Sequence, residues 1–149
     1  MKGYNKRKCC AGCNSVNFYK IIDLGIVPLA GYFPTDDQLA EKSEYPLSLL
    51  FCLGCTLIQT DSIIDSDILF KDYRYMSSIS LTNHFSNVAK QLHEKYNIVD
   101  KHILEIGCND GVLLKPLSAI GAIAEGVDPA TNIVKLAVDK GLTVYNNYF

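Results

Sequence analysis

Lys101-His-Ile-Leu-Glu-Ile-Gly-Cys-Asn-Asp-Gly-Val-Leu-Leu114 decides how the rest of this chain is read. Residues 103–106 have the apolar pattern of a strand; a Gly-x-Asn-Asp-Gly turn follows, then an apolar helix start. Gly107 and Gly111 allow conformations and close approaches that a Cβ forbids, so backbone N–H groups there can face a bound ligand. Downstream the rhythm repeats. A helix over 112–120 is stopped by Gly121, and a strand over 122–127 ends at Asp128-Pro129. A helix over 130–140 is stopped by Gly141, and a third strand begins over 142–145. Pro116 falls inside the first of these helices and is expected to distort its opening turn. Such alternation predicts an α/β unit of parallel strands with right-handed crossovers, here the β-α-β-α-β half of a Rossmann-like domain.

The upstream residues have a different character. Cys10-Ala-Gly-Cys13 and Cys52-Leu-Gly-Cys55 are two Cys-x-x-Cys knuckles, and four thiolates suit the tetrahedral preference of zinc. Cys9 can substitute for Cys10, but the spacing of the second pair favours Cys10. Buried cysteines acting as small hydrophobes are the bland alternative. A redox pair is a third, although it needs one knuckle rather than two and a helix after it. With four protein ligands and no open position, the metal is structural, stapling a domain too small for a large core. Around the knuckles we expect strands over 16–24, 47–51 and 56–60. Residues 25–34 are broken by Gly and Pro, and 35–45 read as a polar surface loop. Residues 61–70 read as a loop and short helix. The organisation expected is thus a small β-rich zinc-binding domain over 1–70, a linking segment with an amphipathic helix over 71–100, and the Rossmann-like part over 101–149.

Within the linking segment, residues 71–80 are crowded with hydroxyls and aromatics, either a solvated linker or a ligand-facing stretch. Residues 82–96 carry an apolar stripe at Leu81, Phe85, Val88, Leu92 and Tyr96, the signature of a helix, with Ser80 or Thr82 available as its cap. His84 and His93 lack a second ligand at i+4 and are read as non-ligands, and His102 as solvated.

Composition narrows the function classes. A chain that is 48% hydrophobic and 20% charged is globular, and its formal charge of -2 with no basic stripe argues against nucleic acid. No apolar run has the length of a membrane span, and no apolar segment follows the N-terminal charges as in a secretory signal. Six cysteines without an export signal point to a reducing compartment, by default the cytoplasm.

The glycine turn also constrains its ligand. Asp128 stands about 20 residues past Gly107, at the end of the second strand, where a doubly wound sheet places an acid for ribose hydroxyls. It can equally act as a helix N-cap. A dinucleotide fingerprint requires glycine where this chain has Asn109 and Val112, so a pyrophosphate would meet side chains and NAD is disfavoured. S-adenosyl-L-methionine carries no phosphate and a positive sulfonium, and a turn containing Glu105, Asn109 and Asp110 suits it better. Cys108 reads as a buried small residue rather than a nucleophile.

At these residues the chain resembles the deoxysugar C-methyltransferases that carry an N-terminal zinc-binding domain. The resemblance lies in residues 104–114, the two knuckles, Asp23-Leu-Gly-Ile-Val-Pro-Leu-Ala30, Tyr45-Pro-Leu, Phe70-Lys-Asp-Tyr-Arg-Tyr-Met-Ser-Ser78 and Gly126-Val-Asp-Pro-Ala130. It implies a class I methyltransferase fold acting on a nucleotide-linked keto-deoxysugar. Gly107, Asn109, Asp110, Gly111 and Asp128 would line the adenosylmethionine site, and the stretch 73–78 would lie near cofactor or sugar. In the family's chemistry a base removes a proton beside the keto group and the enolate carbon takes the sulfonium methyl. The catalytic group is not identifiable here; Tyr75 and His84 are the candidates within the chain. Family members carry further base and polar residues in a C-terminal portion. The expectation is therefore a fragment, inactive by itself, that self-associates or needs a complementing C-terminal half. The rival from another class is a zinc-stabilised binding or assembly module without catalysis.

Overall fold

The computed structural model describes residues 3–30, 44–73 and 75–149. Most of the polar stretch expected over 35–45 therefore lies outside the described residues. The chain divides into two compact units, Met1–Leu69 and Phe70–Phe149.

The first unit is built from short antiparallel pairings. Strands β2 (Phe18–Pro28), β3 (Glu44–Cys52) and β4 (Ile58–Thr60) form one sheet in that order. Strands β1 (Tyr4–Lys6) and β5 (Ser62–Ile64) form a separate pair, followed by the single-turn helix α1 (Ser66–Phe70). The expected loop over 61–65 is thus partly strand. A larger correction concerns residues 25–28, expected to be broken by glycine and proline. They continue β2, because the register with β3 shifts between Asp23 and Ile26 and absorbs the irregularity as a bulge. Gly25 takes a left-handed φ of 71° there and donates its N–H to Asp23 Oδ1 at 3.0 Å. Pro28 ends β2, an edge strand among the described ones, the place in a sheet that tolerates proline.

The second unit is the alternating one. Helix α2 (Ser78–Tyr96) precedes β6 (His102–Ile106), α3 (Leu114–Ile120), β7 (Ile123–Asp128), α4 (Thr131–Asp139) and β8 (Thr143–Asn146). The three strands are parallel in the order β6-β7-β8. Ala89 of α2 and Leu117 of α3 are fully buried, and they share a core with Ile98 and Ala122 against which Leu92, Ile103 and Ala124 pack. A small residue at 89 lets α2 approach closely; the stripe expected from period alone includes Tyr96, which is exposed, and omits Ala89.

Helix α2 also starts a turn earlier than its apolar period implies. Neither Ser80 nor Thr82 caps it: Ser77 is the N-cap residue without a side-chain cap bond, and Thr82 Oγ1 donates back to the Ser78 carbonyl at 2.8 Å. Pro116 is the third residue of α3, where an N–H would have no partner within the helix, so it is accommodated without breaking the first turn. Gly121 ends α3 with a left-handed φ of 103°, as expected. No helix among the described residues is long and apolar enough to cross a membrane.

Candidate functional site

The two cysteine knuckles share one hydrogen-bond pattern. Asn14 N–H donates to the Cys10 carbonyl at 3.0 Å, and Thr56 N–H to the Cys52 carbonyl at 2.9 Å. Cys10 N–H reaches Ser15 and Cys52 N–H reaches Leu57. Asn14 and the β-branched Thr56 both sit at positive φ to close these turns, a conformation Thr disfavours. Each knuckle has a glycine in its third position. At Gly54 an added Cβ would stand 3.3 Å from Cys13 Sγ, so a side chain there would press into the cluster.

Cys10, Cys13, Cys52 and Cys55 bring their sulfurs within 4.8 Å of one another. The Cys10–Cys55 and Cys13–Cys52 sulfurs are each 3.6 Å apart. That is far beyond a disulfide bond and close to the edge of roughly 3.8 Å that Zn–S bonds of about 2.3 Å give a tetrahedron. The donor set therefore fits a structural zinc. Cys9 is exposed and lies outside the cluster, which decides between the two spacings.

The thiols hold their protons unequally. Burial opposes ionisation of Cys10, but the N–H groups of Cys13 and Gly12 and the thiols of Cys55 and Cys52 outweigh it and draw its pKa down to about 6. Cys13 receives the Ser15 N–H, yet the thiols of Cys55 and Cys52 push it up to about 12. A divalent ion displacing those protons would remove the competition.

In the second unit the glycine turn leaves the end of β6, with Gly107 N–H bonded to the Val127 carbonyl at 2.8 Å. Gly107, Asn109 and Gly111 all adopt left-handed φ, 72°, 50° and 76°. The two glycines are needed for different reasons. Beside Gly107 no heavy atom lies within 4 Å of where a Cβ would stand, whereas at Gly111 it would collide with the Leu142 side chain. Gly107 leaves open space beside its backbone; Gly111 permits packing.

Asp128 ends β7 and is buried. It is not the N-cap of α4, a place taken by Ala130. Its Oδ2 accepts the Asn109 N–H and its Oδ1 the Ala130 N–H, both at 2.9 Å, so it joins the glycine turn to the loop after β7. Each oxygen keeps a further lone pair for a ligand hydroxyl.

Asn109 and Asp110 point elsewhere than a simple cofactor cradle suggests. Asn109 Oδ1 accepts the Ser77 N–H, and its Nδ2 donates to the Tyr75 carbonyl, both at 3.0 Å. Asp110, only 1% exposed, accepts from the Ser78 hydroxyl and from Lys140 Nζ at 3.2 Å. The resemblance implies that residues 73–78 lie near the site; Tyr75, Ser77 and Ser78 are bonded to its turn. Tyr75 is half-exposed on that stretch, whereas His84 is on the exposed part of α2 with its ring edge-on to Phe85 at 5.2 Å.

Two further groups complete the electrostatics. Burial, and then the charge of Asp128, push the Glu105 carboxyl up to about 7. Its Oε2 has no hydrogen-bond partner among the described residues. Cys108 is buried, and burial with the charges of Asp128 and Glu105 raises its thiol to about 12, which disfavours the thiolate near neutral pH. Its sulfur would be 2.5 Å from a Cβ at Gly126, so it fills the space that this glycine leaves.

Residues 10–70 match the protein family described as "Putative zinc binding domain". Over 137 residues the chain is 30% identical to C-methyltransferase NovU from Streptomyces niveus; the match takes in 89% of this chain and 33% of that protein. The chain thus spans about a third of that relative's length. Among solved structures, magnesium protoporphyrin IX methyltransferase from Synechocystis PCC 6803, solved with bound SAM, aligns at 22% identity and a TM-score of 0.43, over 47% of this chain and 38% of that one. A SAM-dependent methyltransferase from Archaeoglobus fulgidus aligns at 23% and 0.34, over 42% and 29%. By sequence, residues 10–70 are similar to the zinc-binding family, and 89% of the chain is similar to part of a C-methyltransferase.

Proposed function

We propose that this chain forms the zinc-stapled domain and the glycine-turn portion of a cytoplasmic, adenosylmethionine-dependent C-methyltransferase acting on a nucleotide-linked keto-deoxysugar. The observation that carries this reading is the 30% identity to a C-methyltransferase across 89% of the chain. The geometry supports it: Gly107 offers unobstructed backbone at the end of a parallel strand, with the Asp128 carboxylate beside it. In this reading Gly107 lets the cofactor approach and Asp128 accepts its ribose hydroxyls. Gly111 supports the turn by packing, and Asn109 and Asp110 shape its wall. When bound, adenosylmethionine supplies an electrophilic methyl group. The four cysteines act as scaffold, with no ligand position left for chemistry. Of the two candidates for the catalytic group, Tyr75 is the one whose backbone is tied to the glycine turn.

Calorimetric titration with adenosylmethionine tests this. The chain is expected to bind one equivalent. Gly107→Val, which places a β-branched side chain at a left-handed position, is expected to weaken binding at least roughly tenfold. Absence of heat from a zinc-loaded chain that runs as a dimer on sizing would replace this reading with that of an assembly module. Transfer of labelled methyl to a nucleotide-linked keto-deoxysugar by the chain supplied with a complementing C-terminal half tests the substrate class.

A further inference from the structure

We infer that Asn132 is a positioning residue of the cofactor site, holding the stretch around Tyr73 as a fixed wall against the ends of the parallel strands. Asn132 lies in the first turn of α4, 59 residues from Tyr73 in sequence, and its amide makes two bonds to the backbone of that one residue. Tyr73 N–H donates to Asn132 Oδ1 at 3.1 Å, and Asn132 Nδ2 donates to the Tyr73 carbonyl at 2.7 Å. A side-chain amide thus pairs with Tyr73 as a neighbouring strand would. Beside it, Thr131 N–H, one of the donors that a helix start leaves unpaired, is taken by the Lys71 carbonyl at 3.2 Å.

Asn109 repeats the device from the glycine turn, binding the Tyr75 carbonyl and the Ser77 N–H, and Asp110 receives Ser78. Three Asx side chains, two from the loop after β6 and one from the helix start that closes the loop after β7, therefore hold one incoming stretch. Those loops lie at the carboxyl ends of parallel strands, where open α/β sheets bind their ligands. Asn132 is exposed and makes no contribution to the buried core, so its hydrogen bonds rather than its packing account for its effect. By holding Tyr73 and Tyr75 in one arrangement before a ligand arrives, it removes an ordering cost from binding.

This inference rests on the adenosylmethionine reading, and the experiment separates the two. Amide hydrogen exchange and adenosylmethionine titration are measured on the full chain for the wild type, Asn132→Ala and Asn132→Asp. Asn132→Ala is expected to speed exchange of the Tyr73 amide and to weaken cofactor binding roughly tenfold, with β6 and β7 amides and zinc content unchanged. Asn132→Asp keeps the acceptor for Tyr73 N–H and is expected to restore the amide's protection and part of the affinity. Wild-type binding that Asn132→Ala leaves untouched overturns the inference alone, as does a Tyr73 amide whose exchange does not change. A wild-type chain that takes up no adenosylmethionine overturns the cofactor reading and this inference with it.

Discussion

The two units of this chain are held together by different physics. In Met1–Leu69 the buried apolar side chains among the described residues are Tyr45 and Leu50 with the cysteines Cys10 and Cys52, and no residue of β2 is buried. In Phe70–Phe149, Leu114, Leu117 and Ala137 are completely buried, and Ile133, Val134 and Val127 nearly so. Hydrophobic burial can sustain the second. Among the described residues the first has little of it for a sheet of that extent, and its four converging thiols supply further stabilisation once a metal joins them. A pair of Cys-x-x-Cys knuckles is thus the counterpart, in one half of the molecule, of an alternating strand–helix core in the other.

The sharpest way to break this contrast is to remove the metal. A chelator, or Cys52→Ser, is expected to unfold Met1–Leu69 at room temperature, because a structural zinc contributes on the order of 10 kcal/mol to the fold it closes. Hydrogen exchange read residue by residue should show β2 and β3 amides losing protection while β6 and β7 keep theirs. Equal protection of both units after metal removal would mean that the thiols stabilise nothing.

The converse substitution acts on the packed unit. Leu117→Ala removes a fully buried side chain from the contact with Ala89 and Ile98, and is expected to cost about 3 kcal/mol in denaturant unfolding. Zinc content should remain unchanged. A loss below about 0.5 kcal/mol would show that this cluster is not the unit's core.

A smaller effect concerns Glu105. Its folded pKa of about 7 lies above the ordinary 4.5, so its neutral form is favoured by folding. The stability it contributes is complete below pH 4.5 and is lost as pH rises through 7. Glu105→Gln should therefore match the wild type near pH 4.5 and exceed it by about 1–2 kcal/mol at pH 8, a figure reduced for solvent screening of a partly buried group. Parallel stability–pH curves for the two proteins would contradict this.

The same contrast explains how much of the fold and of the site is legible in the sequence. The knuckles are legible because metal ligation imposes residue type and spacing locally, and the strand–turn–helix rhythm from residue 101 because burial imposes period. The bulge at Gly25 is not legible, since glycine and proline signal a break and only the register with β3 shows that the strand continues. Ala89 escapes because a helix period marks large apolar residues, whereas close helix contact selects a small one. Asn109 and Asp110 fall on the right turn, but the direction of their side chains depends on Tyr75, Ser77 and Ser78, more than 30 residues away. Asn132 carries no local signal, because its partner is the backbone of a distant residue.

Native mass spectrometry of the intact chain with adenosylmethionine tests the central claim, one structural metal and one cofactor on separate units, most directly. One zinc per chain is expected, with one adenosylmethionine added to that species, and Asp128→Ala should abolish the cofactor adduct and keep the zinc. A chain that retains zinc after all four cysteines are replaced by serine, or that shows no cofactor adduct at any concentration, would contradict it.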